Sequence, residues 1–255
     1  MTTPAPTPAI AIILGRGGSK GLPRKNLLPI VGRPCVEWTI RHAHASKRVG
    51  LVTLSSDDAE MRHLATTLGV LALDRPPHLA SDTARVDDAA RHAHTEILNN
   101  APLRERHPWL GDSAPVVILY ANVPIRPADA TDRALDTLTS TRCDSVQSYQ
   151  PVGKHHPWWT ARVDPDTASV RPWEGEILNH NIFRRQDLPP AFIPDGGVIA
   201  LTPDALHLRI PNVADGPHAF FGRDRRGIIN PEGSVVDIDT RIDLLVAEAM
   251  LKGAT

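Results

Sequence analysis

Short apolar runs alternate along this chain with longer segments in which apolar residues recur at helical spacing. The first run, 9–14, is apolar throughout, which is typical of a strand buried on both faces of a sheet. In the segment after it, Val36, Ile40 and Ala43 fall on one face of a helix. This alternation predicts an α/β fold with a doubly wound, mostly parallel sheet covered by helices on both faces.

The same pattern predicts the order of the remaining elements. We predict further strands at 51–55, 70–73, 116–120, 145–149 and 198–201, helices between them, a connecting loop at 102–114, and a final helix at 242–251. From 151 to 194 the periodicity gives way to prolines, tryptophans and charges, over a length that exceeds ordinary connections. We therefore predict one domain over 1–255 with an inserted lobe at 151–194.

Composition excludes several classes of protein. A chain of 255 residues that is 41% hydrophobic can bury one substantial core. Its formal net charge of -1 offers no overall attraction to nucleic acid or to an anionic membrane. No apolar run has the length of a bilayer span, and two cysteines are too few for a disulfide framework. We expect a soluble, cytoplasmic protein with no nucleic-acid or membrane partner, and both cysteines buried in its core.

A glycine-rich basic loop follows the first predicted strand. Residues 15–26 read GRGGSKGLPRKN, with four glycines and four cations. Glycines let backbone N–H groups approach phosphate oxygens, and Arg and Lys side chains neutralise phosphate charge. The loop matches neither the Walker A pattern nor G-x-G-x-x-G. Because open α/β sheets bind ligands at the carboxyl ends of their strands, we predict a local polyanion site here.

Two aspartates near the end of the chain form a second candidate site. Asp237 and Asp239 flank Ile238, so on an extended backbone both carboxylates project from one face. Carboxylate oxygens are the ligands that Mg²⁺ prefers, with phosphates and waters filling its remaining positions. The pair therefore predicts a magnesium site, with capping of the final helix as the alternative.

Several segments resemble one enzyme family, in the expected order and over nearly the whole chain. The loop RGGSKGLPRKN resembles the signature loop of the N-acylneuraminate cytidylyltransferases and their relatives. The further matches are SSDDAE, DRPPHLASDTA, RRQDLPPAFIPDGGVIAL and VDIDTRIDL. The resemblance implies a Rossmann-like nucleotide-diphospho-sugar transferase fold and transfer of CMP from CTP to a small, sialic-acid-like acidic sugar. It also implies Mg²⁺ as cofactor and a homodimer built through the inserted lobe.

The resemblance also implies roles for individual residues. Arg16, Lys20 and Lys25 would contact the triphosphate, with Arg16, Lys25 and Arg185 acting in catalysis and Arg185 near the reacting sugar. Asp237 and Asp239 would hold the metal. The residues that would complete the nucleotide site are Asn26, Arg75, Ser81, Asp82, Thr83 and Tyr120. For Arg75 and Asp82 the alternative is a surface ion pair or a helix cap.

The chain departs from the family where the acceptor would bind. Tyr120 and Val123 replace a glutamine and a serine that approach the sugar, and Asp195 replaces an asparagine. These changes predict altered hydrogen bonding and charge in the sugar pocket. Two other functions therefore stay open: nucleotidyl transfer to a sugar 1-phosphate, and nucleotide binding without turnover. Pyrophosphate release in the presence of different acceptors distinguishes the three.

Overall fold

The computed structural model describes residues 7–18 and 21–253. The strands are β1 Ala9–Leu14, β2 Pro29–Ile30, β3 Arg33–Pro34, β4 Val49–Ser56, β5 Leu71–Asp74, β6 Val116–Tyr120, β7 Ser145–Pro151, β8 Ala161–Val163, β9 Val170–Pro172, β10 Phe192–Leu201 and β11 Arg225–Ile229. The helices are α1 Cys35–Ala45, α2 Ala59–Thr67, α3 Val86–Asn99, α4 Ala101–Arg106, α5 Ala130–Thr141, α6 Pro203–Leu206 and α7 Arg241–Gly253.

The central sheet has its strands in the order β11-β7-β10-β6-β1-β4-β5. Strand β1 lies in the interior, where Ala11 pairs in parallel with Val52 of β4 and Val117 of β6. Strand β10 runs antiparallel to both of its neighbours. The prediction of a mostly parallel sheet is therefore confirmed. The carboxyl ends of β1, β4 and β6 meet at one edge, which positions the loops that follow them.

Alternate side chains of β1 enter two separate cores. Ala11 and Ile13 pack in the cluster formed with α1, α2 and α5. Ile10 and Ile12 pack on the opposite face, in the cluster formed with α3 and α6. All six residues of β1 are buried, which explains why its sequence is apolar throughout rather than alternating.

Two segments differ from the sequence prediction. Residues 102–114 were expected to form a loop, but they include most of helix α4, whose first turn holds Pro102. The Asn100 side chain accepts a hydrogen bond from Leu103 N and caps this helix. Strand β11 has no predicted counterpart because it is an edge strand in which only Ile228 is buried, so it carries no apolar alternation. No helix in the described part of the chain has the length and apolar character that a bilayer span requires.

The segment predicted to form an inserted lobe leaves the sheet and returns to it at the same place. Strand β7 ends at Pro151, β10 begins at Phe192, and these two residues are paired. The lobe between them, 152–191, is narrower than the predicted 151–194 and contains the hairpin of β8 and β9. Trp158 stacks on His180 at 4.4 Å inside the lobe. The most exposed apolar side chain is Phe183, at 92% exposure among the described residues.

Both cysteines lie in the core, as predicted. Cys35 and Cys143 are fully buried and their thiols are free. Burial raises the pKa of the Cys35 thiol to about 12. A thiol held in its protonated form is a poor nucleophile, so this residue packs as a small apolar side chain.

Candidate active site

Two adjoining cavities meet beside Tyr120, at the carboxyl end of β6. The first has a volume of about 240 Å³ and lies beside the glycine-rich loop, between that loop and the segment before α3. The second has a volume of about 560 Å³ and lies over β7, β10 and β11. The described residues that line both cavities are Ala84, Arg85, Val86 and Tyr120. A ligand in one cavity can therefore meet a ligand in the other.

Most of the predicted nucleotide-site residues gather around the first cavity. Its lining includes Arg16, Lys25, Asn26, Arg75, Ser81, Asp82 and Tyr120. Thr83 lies beside them, with its hydroxyl 3.4 Å from that of Ser81. Lys20 falls outside the described residues, so its predicted role stays a prediction. Segments separated by up to about a hundred residues in sequence thus form one site because β1, β5 and β6 end at the same edge.

Two cations of the described part of the loop, Arg16 and Lys25, are already paired with carboxylates. Arg16 lies 2.7 Å from Asp82 across the first cavity, and Lys25 lies 2.5 Å from Asp239. The Arg16–Asp82 pair is solvent-exposed on both sides, and such pairs stabilise a fold by only about 0–1 kcal/mol. An incoming triphosphate can therefore replace Asp82 as the partner of Arg16 at little cost.

Arg75 is held deep beneath the first cavity. It is buried, and its guanidinium donates hydrogen bonds to the hydroxyl and the backbone carbonyl of Ser55, at 3.1 and 2.5 Å. Burial lowers the pKa of Arg75 to about 10, partly offset by the nearby Asp57 carboxylate. Arg75 thus remains charged at neutral pH, and the alternative of a surface ion pair is wrong for this residue.

Contacts within the glycine-rich loop fix its path. Asn26 is buried and donates from Nδ2 to the carbonyl of Arg16 at 3.0 Å. Its Oδ1 is also buried and has no hydrogen-bond partner among the described residues. Gly15 passes so close to α2 that a Cβ there would lie 2.7 Å from Met61 Sδ. The loop therefore requires glycine at this position on steric grounds.

The paired aspartates contact residues that line the first cavity, Asn122 and Lys25. Ile238 between them is fully buried, so the predicted alternation of side chains is observed. Asp237 accepts a hydrogen bond from Asn122, a residue that lines the first cavity. Burial, and next the neighbouring Asp239 carboxylate, raise the pKa of Asp237 to about 6. A cation beside both carboxylates would offset the repulsion that Asp239 exerts on a charged Asp237.

Another residue performs the capping that was the alternative role for these aspartates. Asp243 Oδ2 accepts hydrogen bonds from the Thr240 backbone N and hydroxyl, at 2.7 and 2.8 Å. Asp237 and Asp239 are therefore free of that task. Among the described residues no cluster of three or more His, Cys, Asp or Glu side chains forms a metal site. Two carboxylates fit Mg²⁺, which commonly takes one or two from the protein and completes its shell with phosphates and water.

A half-buried arginine, Arg126, holds the loop that carries Tyr120 and Asn122. Arg126 donates to the carbonyls of Tyr120 and Gly197, at 2.9 and 2.6 Å, and to the Thr39 hydroxyl at 3.0 Å. Burial lowers the pKa of Arg126 to about 9. Because the guanidinium donates to a backbone carbonyl of β6 and to one of β10, it links these two strands beside Tyr120, which lines both cavities.

Two predictions about the acceptor half of the site do not match the structure of a single chain. Arg185 lies in the lobe, pairs with Glu232 at 2.7 Å and lines a separate cavity of about 220 Å³. Asp195 is buried and accepts hydrogen bonds from Ser148, Gly197 and Asn230. Its carboxylate therefore organises the interior and does not add charge to the second cavity. Val123 is likewise fully buried.

The second cavity is lined by residues that the sequence did not single out. They include Arg85, Gln147, Tyr149, His218, Phe220, Phe221, Arg225 and Arg226. Most come from β7, β11 and the segment before β11, which meet only in the folded sheet. Arg85 alone had a local signal in the sequence, because it lies two residues after the predicted segment at 81–83.

Comparison with known proteins shows that the chain is similar to cytidylyltransferases. A family model described as cytidylyltransferase matches residues 10–103. The chain is 33% identical to the pseudaminic acid cytidylyltransferase of Campylobacter jejuni over 244 residues, which are 95% of this chain and 96% of that protein. It is 27% identical to the N-acylneuraminate cytidylyltransferase of Streptococcus agalactiae serotype III over 92% of its own length, and spans 51% of that relative.

A solved structure supports the fold. CMP:2-keto-3-deoxy-manno-octonic acid synthetase, in a complex with CTP, superimposes with a TM-score of 0.70 over 97% of this chain and 100% of its own. The sequence identity between the two is 16%, so this likeness concerns the architecture. It confirms a Rossmann-like nucleotidyltransferase fold for the sheet and its flanking helices.

Proposed function

The chain belongs to the cytidylyltransferase family that contains the pseudaminic acid and N-acylneuraminate enzymes, and from this we propose that it transfers CMP from CTP to a nonulosonic acid. The proposal rests on one observation above all. A cation-rich cavity suited to a triphosphate adjoins a larger cavity suited to a sugar acid. The acceptor atom is the anomeric 2-hydroxyl of the sugar, and the second product is pyrophosphate.

The first cavity would bind CTP. Arg16 and Lys25 would exchange their carboxylate partners, Asp82 and Asp239, for phosphate oxygens. Arg75 would add a fixed positive charge from below, because its own hydrogen bonds to Ser55 hold it in place. Preorganised charge of this kind stabilises a transition state without reorganisation during the reaction.

The second cavity would bind the acceptor. Its volume of about 560 Å³ lies in the range of small-molecule sites, and it carries both aromatic and polar side chains. The sugar hydroxyl oxygen attacks the α-phosphorus from this side and forms the new O–P bond. The bond from that phosphorus to the bridging oxygen breaks, pyrophosphate leaves with the electron pair, and the hydroxyl proton passes to solvent. No covalent enzyme intermediate is required, so the protein acts by positioning and by charge.

Asp237 and Asp239 would hold Mg²⁺ in this proposal. Bound there, the ion would supply positive charge to the phosphates. Asn122 would keep the Asp237 carboxylate oriented toward the cavity through its hydrogen bond. Lys25, released from Asp239, would remain beside the phosphates because its side chain is largely buried.

The proposal extends to assembly and location. The lobe would join two copies of the chain in a homodimer, and Arg185 would act near the sugar site of the partner. The support is the family resemblance together with the exposed apolar side chains of the lobe, which include Trp173, Ile177 and Phe183. A cytoplasmic location agrees with two free, buried thiols.

Pyrophosphate release tests the function. The purified protein is incubated with CTP, Mg²⁺ and either a nonulosonic acid, such as pseudaminic or N-acetylneuraminic acid, or a sugar 1-phosphate. We expect release that depends strictly on the free sugar acid, with a CMP-sugar detected by mass spectrometry. Dependence on a sugar 1-phosphate, or CTP binding without release for any acceptor, would contradict the proposal.

A further inference from the structure

Arg85 is the charged residue among those that line both cavities. The other shared lining residues in the described chain are Ala84, Val86 and Tyr120. The guanidinium therefore lies at the junction where a nucleotide in one cavity and an acceptor in the other would meet. Its side chain is 39% exposed, so it is accessible from the cavities.

A buried carboxylate fixes the orientation of Arg85. Asp87, whose side chain is 2% exposed, accepts from Arg85 Nε at 3.1 Å and from Nη2 at 2.8 Å. Nη2 also donates to the carbonyl of Gly216 at 2.9 Å. Arg91 supports the same carboxylate from the next turn of α3, at 2.9 Å. This two-point hold removes the rotational freedom that an exposed arginine normally has.

One edge of the guanidinium stays available. Nη1 of Arg85 makes no hydrogen bond to any described residue, whereas Nε and Nη2 are both engaged. An arginine held on one side and open on the other offers donors of defined direction to an anion. The structure thus contains a preoriented anion-binding group at the junction.

The chemistry of the acceptor indicates which anion reaches that point. In a nonulosonic acid the carboxylate is attached to the same carbon that carries the attacking hydroxyl. When the hydroxyl oxygen faces the α-phosphorus in the first cavity, the carboxylate must also lie at the junction. A carboxylate that leaves water for this site requires a cation or hydrogen-bond donors.

The other arginines of the second cavity are less suited to this task. Arg226 pairs in register with Val146, near the start of β7, so it lies beside Arg225 and away from the junction. Arg225 is paired with Ser145, the first residue of β7. On the other side of β7, Ser145 is paired with Leu201 of β10, and Leu201 is paired with Val116, the first residue of β6. Tyr120 is four residues further along β6, which is about 13 Å along the strand. Arg225 therefore lies toward the far end of the cavity from the junction.

We propose that Arg85 binds the carboxylate of the acceptor sugar acid and thereby selects acids over neutral sugars at the point of nucleotidyl transfer. This inference rests on the proposed function and assigns a specificity-determining residue to it. Asp87 is a positioning residue in this arrangement, since it acts through Arg85.

The test compares a nonulosonic acid with its methyl ester, which lacks the negative charge. Pyrophosphate release is measured for both acceptors with the wild-type protein, Arg85→Gln and Arg85→Lys. In the wild type we expect kcat/KM to favour the acid by on the order of 10- to 100-fold, the range for a hydrogen-bonded charged group. Arg85→Gln should lose most of that preference because its kcat/KM for the acid falls, while the KM for CTP changes less than about threefold. Arg85→Lys, which keeps the charge, should retain part of it.

Arg209→Gln is the matched control. Arg209 is an exposed arginine paired with an aspartate, Asp204, at 2.8 Å, and it lies outside both cavities. We expect this variant to keep the wild-type preference for the acid. A loss of preference in both variants would overturn the assignment to Arg85.

The outcomes separate this inference from the proposed function. A wild-type protein that turns over the acid and the ester equally well contradicts the inference, whatever the variants do. The same holds if Arg85→Gln keeps the preference, or if it raises the KM for CTP instead, which would assign Arg85 to the nucleotide. A wild-type protein that transfers CMP to neither the acid nor its methyl ester would overturn the proposed function itself.

Discussion

Lys25 and Asp239 connect the beginning of the chain to its end. Their charged groups lie 2.5 Å apart although 214 positions separate them in sequence. The lysine belongs to the glycine-rich loop and the aspartate to the pair that faces it. Lys25 is suited to bind a phosphate oxygen and Asp239 to bind a metal cation. Binding of both ligands would therefore separate the two residues.

Replacing Asp239 by Asn is expected to abolish turnover. The change removes one of the two carboxylates available to Mg²⁺ and leaves the Lys25 charge without its partner. We expect pyrophosphate release to fall at least 100-fold, while circular dichroism and thermal unfolding stay close to wild type because the side chain is 67% exposed. Asp204→Asn, which removes another exposed aspartate paired with a basic residue, is the control and should be fully active. Full activity in Asp239→Asn would refute the metal assignment.

A half-buried histidine, His42, predicts how stability depends on pH. His42 Nε2 lies 2.8 Å from the Thr131 hydroxyl, and burial, followed by the Arg126 charge, lowers its pKa from 6.5 to about 3. Between pH 6.5 and pH 3 the unfolded chain therefore binds a proton that the folded protein does not, so stability falls as the pH falls.

From pH 6.5 to 5.5 we expect this histidine to cost about 1 kcal/mol of unfolding free energy. Urea denaturation of the wild type and of His42→Gln at the two pH values measures the difference. The variant should lose less stability on acidification than the wild type. His44→Gln, at an exposed position of the same helix, is the control. Equal losses in wild type and His42→Gln would show that His42 does not contribute.

Local sequence signals were sufficient to predict residues that gather around the first cavity, but not those that line the second. Arg16, Lys25 and Asn26 could be predicted because they occur in one loop of unusual composition. Asp195 was misjudged, since its sequence gives no sign that Ser148 and Asn230 would enclose its carboxylate. Contacts of this kind depend on the order of strands in the sheet, which a single sequence does not reveal.

At the scale of elements, the glycine-rich loop packs directly against the segment before α7 that carries the aspartates. A Cβ at Gly21 would lie 2.9 Å from the backbone carbonyl oxygen of Asp239. Backbone atoms cannot yield as a flexible side chain does, so any larger residue would push the two segments apart. The close approach of loop and aspartates thus depends on this glycine.

Gly21→Ala is therefore expected to weaken CTP binding about tenfold, equivalent to about 1.4 kcal/mol. Isothermal titration with CTP and Mg²⁺ measures the change. Gly111→Ala is the matched control, because a Cβ at Gly111 meets no atom within 4 Å and the residue lies in a distant loop. Unaltered affinity in Gly21→Ala would mean that loop and aspartates need not approach so closely.

Elements buried on both faces were predicted better than those at the edges. Strand β1 was placed with its observed bounds because all its residues are buried and apolar. Strand β11 was missed because one face and its free edge meet solvent, and Arg225, Arg226 and Gly227 begin it. An edge strand obtains its hydrogen bonds from its neighbour rather than from a hydrophobic pattern, so its sequence is weakly constrained.

At the scale of the whole molecule, the two cavities are built by different parts of the chain. The family match over 10–103 covers β1, β4, β5 and α3, which surround the first cavity. The second cavity is completed by β7, β10, β11 and the phenylalanines before β11, all beyond that match. The family model therefore covers much of the lining of the first cavity and little of the second, whereas the similarity to the Campylobacter jejuni relative extends over 95% of the chain.

The inserted lobe offers a test of assembly. Because Val152 N donates to Ala191 O at 3.1 Å, a two-residue Asn-Gly turn can join β7 to β10 in place of 153–190. We expect this variant to fold and to bind CTP, but to be monomeric where the full chain is a dimer. Analytical ultracentrifugation of both proteins measures their masses. A monomeric full chain, or a dimeric variant, would contradict the prediction that the lobe forms the dimer.

The assignment of the two cavities is tested most directly by a crystal structure of the protein with CTP and Mg²⁺. We expect the triphosphate in the cavity of about 240 Å³, in contact with Arg16 and Lys25, and the α-phosphorus facing Arg85 and Tyr120 at the junction. The cavity of about 560 Å³ should remain available to the acceptor. A nucleotide that fills the larger cavity, or binds away from the carboxyl edge of the sheet, would contradict the account.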